Sequence, residues 1–146
     1  MQQSTVLLPA CTTKPASALM IEMPMTLNGW WVHRKHFPMA SGIYILLAYT
    51  AAEVEESVVL RVGMAAGKKG MYGRWFESQM SHYQVWREHR EHSAVYRRFY
   101  DACALRFPVV QVHFLLYPRQ SPQQIREVER LLINTWSPMW ERRREW

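Results

Sequence analysis

The chain has 146 residues, 49% of them hydrophobic and 13% aromatic, so it suits one domain and is neither disordered nor of low complexity. Its two cysteines are too few for a disulfide framework, which favours the reducing cytoplasm. The longest apolar stretch, residues 43–52, is much shorter than the ~20 residues that a helix needs to cross a bilayer, so we expect no membrane segment.

The net charge of +6 is concentrated in the second part of the chain. Residues 1–60 carry 3 basic and 4 acidic side chains, whereas residues 61–146 carry 15 basic and 8 acidic ones. Arginine outnumbers lysine 14 to 4, and a guanidinium group can bind two phosphate oxygens at once. The distribution favours a polyanionic partner such as a nucleic acid, and the alternative is a basic protein with no such role.

Residues 1–25, rich in Thr, Ser, Ala, Pro and Met, are expected to form a loosely packed lead-in to a single domain over residues 26–146. No Lys or Arg precedes Cys11, and the apolar run before it covers only residues 6–8. A signal peptide has a basic start and an apolar run of ~7–15 residues. We therefore expect a cytoplasmic protein.

Two strands are predicted after this segment. The run from Ile43 to Tyr49 is rich in strand-favouring residues and follows the turn residues Ser41 and Gly42. Residues 57–63 form a second run of this kind. The acidic stretch 53–56 would lie in the connection between them, which predicts an antiparallel hairpin with a long loop.

Helical spacing follows the hairpin. Tyr72, Phe76 and Met80 are four residues apart, and a further amphipathic pattern covers residues 93–105. Residues 109–117 then predict a third strand, because they are apolar and follow a proline.

The last helix has a clear start and end in the sequence. Ser121, Pro122 and Gln124 predict an N-cap, a proline in the first turn and a capping-box partner, and Pro138 ends the helix. The resulting order is β-β-α-α-β-α. This order predicts an α+β domain with a small three-stranded antiparallel sheet flanked by helices.

Glu129 lies on the edge of the apolar stripe of this last helix, next to Val128. A carboxylate that is partly removed from water needs a cation or a metal ion nearby. The alternative is an ordinary boundary glutamate paired with Arg126 or Arg130.

Four elements in a fixed order then carry a resemblance to a known family. They are Gly42-Ile43-Tyr44 on the first predicted strand, Arg61-Val62-Gly63 on the second, Arg74 on the next helix and Glu129-Arg130-Leu131-Leu132-Ile133 on the last helix. In this order, over residues 41–141, the chain resembles a GIY-YIG nuclease domain.

The resemblance implies a divalent-metal-dependent endonuclease that hydrolyses DNA phosphodiester bonds. Glu129 would hold one Mg²⁺ or Mn²⁺ ion, Tyr44 would assist the attacking water, and Arg74 would offset charge on the phosphoryl oxygens. For a lone strand tyrosine, a place in the core is the alternative to a catalytic role.

The chain departs from the family pattern at several positions. Arg61 stands where the family has its second tyrosine, and Glu141 stands where it has an asparagine. Ser78 occupies the position of a family His or Tyr, and His82, one turn later, could substitute for it. We therefore count Arg61 and His82 among the candidate catalytic residues. A loss of hydrolytic activity is the alternative explanation of Arg61.

DNA is the expected partner. Two alternatives are a catalytically silent nucleic-acid-binding module on the same fold and a protein-interaction module whose basic face is incidental. Because little of the chain remains for a separate recognition domain, specificity is expected to come from inserted loops, a homodimer or an additional subunit. The candidate DNA-docking residues are Lys68, Lys69, Arg87, Arg90, Arg97 and Arg98.

Overall fold

A five-stranded sheet forms the centre of the protein. The computed structural model describes residues 1–50, 53–88 and 91–146. The strands are β1 (Gln2–Gln3), β2 (Ser17–Pro24), β3 (Gly42–Thr50), β4 (Glu53–Ala65) and β5 (Val109–Leu116).

All neighbouring strands in this sheet are antiparallel, and their order is β1-β2-β5-β3-β4. The α+β class and the antiparallel pairing of the three predicted strands are therefore confirmed. The prediction of three strands in the order β-β-α-α-β-α is wrong in detail, because β1 and β2 extend the sheet beyond β5.

β2 comes from the segment 1–25, for which the composition predicts loose packing. This strand pairs with β5 along its whole length, and its Met20, Ile21 and Met23 side chains are buried. Only one of its eight residues is β-branched. Its extended structure thus depends on pairing with β5 and on burial rather than on intrinsic propensity.

The β3–β4 hairpin is longer than expected. Residues 53–56, predicted as part of the connection, belong to β4. In the hairpin register Tyr44 pairs with Gly63 and Leu46 pairs with Arg61. The side chains of Tyr44 and Arg61 therefore lie on the same face of the sheet.

The helices lie on both sides of the sheet. The helical segment predicted to include Met80 ends earlier, because α2 continues only into a π-helical turn at Gly73–Glu77. Among the described residues, none of the helices is both long enough and apolar enough to cross a membrane. The helices are α1 (Leu27–Val32), α2 (Gly70–Tyr72), α3 (His82–Arg87), α4 (Ala94–Arg106) and α5 (Pro122–Trp136).

Two separate cores lie on the two faces of the sheet. Alternate β3 residues such as Ile43 and Ile45 pack with α5 in an aliphatic core. The residues between them, such as Tyr44 and Leu46, pack into a core that is rich in aromatic rings, including Trp30. This alternation places the tyrosine of the GIY triplet on the aromatic side of the sheet.

α5 begins with the predicted capping box. The Ser121 hydroxyl accepts from the backbone N–H of Gln124 at 3.2 Å, and the Gln124 side chain accepts from the Ser121 N–H at 2.8 Å. The helix buries Val128 against the aliphatic core. Glu129, the next residue, is therefore half-buried at the border of the helix.

Candidate active site

One cavity of about 290 Å³ brings together four of the predicted site residues. Tyr44 comes from β3, Arg61 from β4, Arg74 from the π-helical turn and Glu129 from α5. Glu141 also lines this cavity. Residues that are far apart in the sequence thus share one small polar space, which we call the polar cavity.

Gly63 determines where the Tyr44 hydroxyl lies. A Cβ atom added at Gly63 would stand 2.0 Å from the Tyr44 hydroxyl oxygen, much closer than any real contact. The tyrosine ring therefore crosses β4 through space that only a glycine leaves free. This explains why the third residue of the second-strand motif is a glycine.

His82 lies behind Tyr44 and is only 1% exposed. Its Nε2 atom is 2.7 Å from the Tyr44 hydroxyl oxygen. Burial lowers the pKa of His82 well below its usual value, and the cations Arg61 and Arg74 lower it further. The imidazole is therefore neutral at physiological pH.

Arg61 is a buried cation held mainly by aromatic side chains. Its Nη1 donates to the Tyr100 hydroxyl at 2.8 Å, and its guanidinium carbon lies 4.2 Å from the ring centroid of Trp140. The Tyr100 hydroxyl also contacts Nδ1 of His82. Arg61 is therefore linked to Tyr44 by hydrogen bonds through Tyr100 and His82. The hairpin register also places Tyr44 and Arg61 on the same face of the sheet.

Glu129 carries the electrostatic features expected of a carboxylate in a polar cavity. Burial raises its pKa, and Glu141 contributes in the same direction. The cations Arg126, Arg61 and Arg74 oppose this shift. The carboxylate thus lies in a field of mixed charge, where an added cation would compensate its loss of water.

The donor set fits a hard divalent ion. Glu129 and Glu141 both line the polar cavity, and Mg²⁺ is usually bound by one or two carboxylates together with waters and substrate phosphate. Within the described ranges, three or more His, Cys, Asp or Glu side chains do not form a metal-binding group. The described residues therefore do not form a complete protein cage around an ion. A partly hydrated ion would suit the two carboxylates of the polar cavity.

Arg74 connects the polar cavity to a second, more open one. Its Nη1 donates to the backbone oxygen of Met80 at 3.1 Å. It also lines a cavity of about 620 Å³ together with Lys68, Lys69 and Arg126. We call this second space the basic groove.

The two lysines of the basic groove differ in their environment. Lys69 pairs with Glu77 at 2.6 Å, and this carboxylate raises the pKa of Lys69. Lys68 is exposed at the same loop. Their positive charges are therefore not equally available to a ligand.

Among the described residues, the candidate docking residues Arg87, Arg97 and Arg98 do not line these two cavities. Arg97 and Arg98 line a separate cavity together with Asp101. Arg87 is exposed at the end of α3, and Arg90 lies outside the described residues. Of the described members of the predicted docking set, Lys68 and Lys69 thus line the basic groove, whereas Arg97 and Arg98 lie on α4.

Sequence reasoning missed Tyr100 as a site residue. The predicted stripe of α4 consists of Val95, Phe99 and Cys103, and Tyr100 is adjacent to it. Its position four residues after Tyr96 is the one available signal, since it indicates a wider buried face. No local pattern could show that its hydroxyl would contact a histidine from another helix.

Comparisons with models of protein families, with curated proteins and with solved structures found no match. The resemblance to the GIY-YIG family therefore depends on the motif residues in the sequence.

Proposed function

We propose that the protein is a divalent-metal-dependent endonuclease of the GIY-YIG type that hydrolyses DNA phosphodiester bonds. The observation that carries this proposal is the meeting of Tyr44, Arg74 and Glu129 in the polar cavity. These three residues, on separate elements, are the ones to which the resemblance assigns catalytic roles.

Hydrolysis forms a bond from the water oxygen to phosphorus and breaks the bond from phosphorus to the leaving sugar oxygen. The attacking water loses a proton, and the leaving oxygen gains one from solvent. Tyr44 would first lose its hydroxyl proton to a solvent base and would then, as the phenolate, accept a proton from the attacking water, while Arg74 would offset the charge that develops on the phosphoryl oxygens. Both side chains line the same cavity, as this division of roles requires.

Glu129 would hold Mg²⁺ or Mn²⁺, and Glu141 would be the second carboxylate near the ion. An ion held there would supply Lewis-acid polarisation of the phosphate and stabilisation of the leaving oxygen. Arg61 adds a positive charge that the family pattern lacks at this position, and Glu141 adds a negative one. We therefore propose that these two departures from the family compensate each other in the polar cavity.

DNA would approach along the basic groove. Lys68, Arg126 and Arg74 supply positive charge from this groove to the polar cavity. Cations that neutralise phosphates give sequence-independent affinity. Specificity beyond this would come from a homodimer or an additional subunit.

A nicking assay on supercoiled plasmid tests the proposal. We expect nicking with Mg²⁺ or Mn²⁺, none with a chelator, and a loss of about a thousandfold in Glu129→Gln, since the carboxylate positions the metal. Glu127→Gln is the matched control, because Glu127 is an exposed residue of the same helix. Loss of cleavage in both variants would contradict the assignment of Glu129.

The replacement of the second family tyrosine by Arg61 favours one alternative, a silent nucleic-acid-binding module. Such a module would bind DNA with strong salt dependence and would leave the plasmid intact with either metal. The nicking assay, carried out on the same protein preparations, therefore distinguishes the endonuclease from the silent module.

A further inference from the structure

Four buried polar side chains form a hydrogen-bonded chain at the inner wall of the polar cavity. Arg61 donates to the hydroxyl oxygen of Tyr100, this hydroxyl contacts Nδ1 of His82, and Nε2 of His82 contacts the hydroxyl of Tyr44. Each of the four residues is less than a tenth exposed. Tyr44 and Arg61 line the cavity itself.

The donors in this chain determine where the proton of His82 lies. A neutral imidazole has one N–H donor and one acceptor nitrogen, and a guanidinium group can only donate. Nη1 of Arg61 is 3.4 Å from Nδ1 of His82. Since the Tyr100 oxygen already accepts from Arg61, its own proton is available to Nδ1.

The protonation states agree with this pattern. Burial lowers the pKa of His82, and Arg61 and Arg74 lower it further, which keeps the ring neutral. Burial raises the pKa of Tyr100, so its hydroxyl keeps the proton that it donates. The titratable and charged groups that face His82 are thus the hydroxyls of Tyr44 and Tyr100 and the cations Arg61 and Arg74.

We infer that Tyr100, supported by Arg61, holds His82 as the tautomer with its proton on Nε2, so that His82 donates to Tyr44. Tyr100 is then a positioning residue for the proposed cleavage reaction, and this role rests on the proposed function. With His82 as a fixed donor, the Tyr44 hydroxyl directs its own proton to the cavity. The same N–H stabilises the negative charge on that oxygen once its proton has passed through the cavity to a solvent base.

The tautomer can be measured on the full chain without DNA or metal. Heteronuclear NMR of the imidazole nitrogens distinguishes a protonated nitrogen from an unprotonated one, and His82→Gln identifies the signals of His82. We expect a protonated Nε2 and an unprotonated Nδ1 in the wild type. A protonated Nδ1 would overturn the inference.

Tyr100→Phe removes the donor to Nδ1 and keeps the ring. We expect the signals of His82 to move towards the other tautomer in this variant. Tyr96→Phe is the matched control, since it removes the same atom from the same helix while its ring still stacks on Trp140. Unchanged His82 signals in Tyr100→Phe would show that Tyr100 does not set the tautomer.

The consequence for cleavage is a second readout. Tyr100→Phe should lower the single-turnover cleavage rate about tenfold, the effect of one lost hydrogen bond, with DNA affinity unchanged. Tyr96→Phe should cleave at the wild-type rate. Equal rates in Tyr100→Phe and wild type would contradict the positioning role.

The two measurements separate the possible failures. A wild type that never cleaves DNA but shows Nε2 protonation contradicts the proposed function and leaves the tautomer intact. An active enzyme with a protonated Nδ1 contradicts only the inference about Tyr100. If Tyr100→Phe does not fold, the tautomer of His82 in the wild-type protein alone tests the inference.

Discussion

The two sides of the sheet each bury a histidine, and the two histidines have different surroundings. His113 lies on β5 on the side of the aliphatic core, with Ser4 at 2.7 Å from Nδ1 and Gln111 at 3.0 Å from Nε2. His82 lies on the aromatic side between two tyrosines and beside Arg61.

Burial alone explains why both rings are neutral, but it does not explain why the groups around the two rings differ. Burial lowers the pKa of His113 to about 4 and also lowers that of His82, so both rings are neutral at physiological pH. The groups that hydrogen-bond to His113 are neutral. His82 is connected to a cation and, through Tyr44, to a cavity with a carboxylate. We therefore expect changes on the aromatic side to affect cleavage and changes at His113 to affect stability.

The largest expected effect on the aromatic side comes from Arg74→Lys. This change keeps the charge but loses the planar fork, so the single-turnover cleavage rate should fall about a hundredfold while DNA affinity changes little. Arg126→Lys, in the neighbouring basic groove, should leave the rate near the wild-type value. Equal losses of rate and affinity would make Arg74 a general backbone contact.

Gly63→Ala should be the next most damaging change. Its new Cβ atom would collide with the Tyr44 hydroxyl, which must then move away from His82. We expect a loss of about 1–3 kcal/mol in the free energy of unfolding, as for an overpacked core, together with slower cleavage. Gly67→Ala is the control, because apart from Gly67 and its two neighbours in the chain no atom lies within 4 Å of the added Cβ. Similar stabilities in the two variants would contradict the close approach of Tyr44.

On the other side of the sheet, His113 should make folding sensitive to acid. The unfolded chain binds a proton at this residue near pH ~6.5, but the folded chain binds it only near a pKa of about 4. The contribution of His113 to the free energy of unfolding is therefore complete above the pKa of the unfolded chain. It is lost as the pH falls towards 4, by up to about 1.4 kcal/mol for each pH unit.

Denaturant unfolding of His113→Gln between these pH values checks this expectation. The variant should show a shallower loss of the free energy of unfolding, while its cleavage rate at neutral pH stays at the wild-type value. An unchanged slope would mean that another group, such as His82, carries the acid sensitivity.

The smallest expected effect separates the two lysines of the basic groove. Lys68→Ala should reduce the slope of log affinity against log salt by about one unit, as for one lost phosphate contact. Lys69→Ala should reduce it less, since Lys69 is paired with Glu77. Two unchanged slopes would move the docking face away from this groove.

The parts of the fold that could be predicted are those with local signals. The predicted strands that became β3, β4 and β5 have apolar, strand-favouring sequences, and α5 is marked by its capping box. β2 has no such signal, because its residues 17–24 become a strand only beside β5. The helical spacing from Tyr72 to Met80 was misleading, since the helix ends at Glu77 before that spacing is complete.

The candidate site was predicted in the same uneven way. Tyr44, Arg74 and Glu129 could be selected because the motif order is visible in the sequence. His82 was expected only as a substitute, and its burial between Tyr44 and Tyr100 depends on how α3 packs against α4. Tyr100 could not be selected, since a hydroxyl has no sequence signal for a partner on a different helix.

The pairing of β2 with β5 also has a consequence for how the chain folds. The β3–β4 hairpin joins residues that are close in sequence, whereas Ser17 pairs with Leu116. During synthesis β2 must therefore wait for β5, with the apolar side chains of Met20, Ile21 and Met23 still exposed. Pairings over such long sequence separations slow folding and expose intermediates to aggregation. We expect docking of β2 to be a late step, and the nascent chain to be most prone to aggregation just before it.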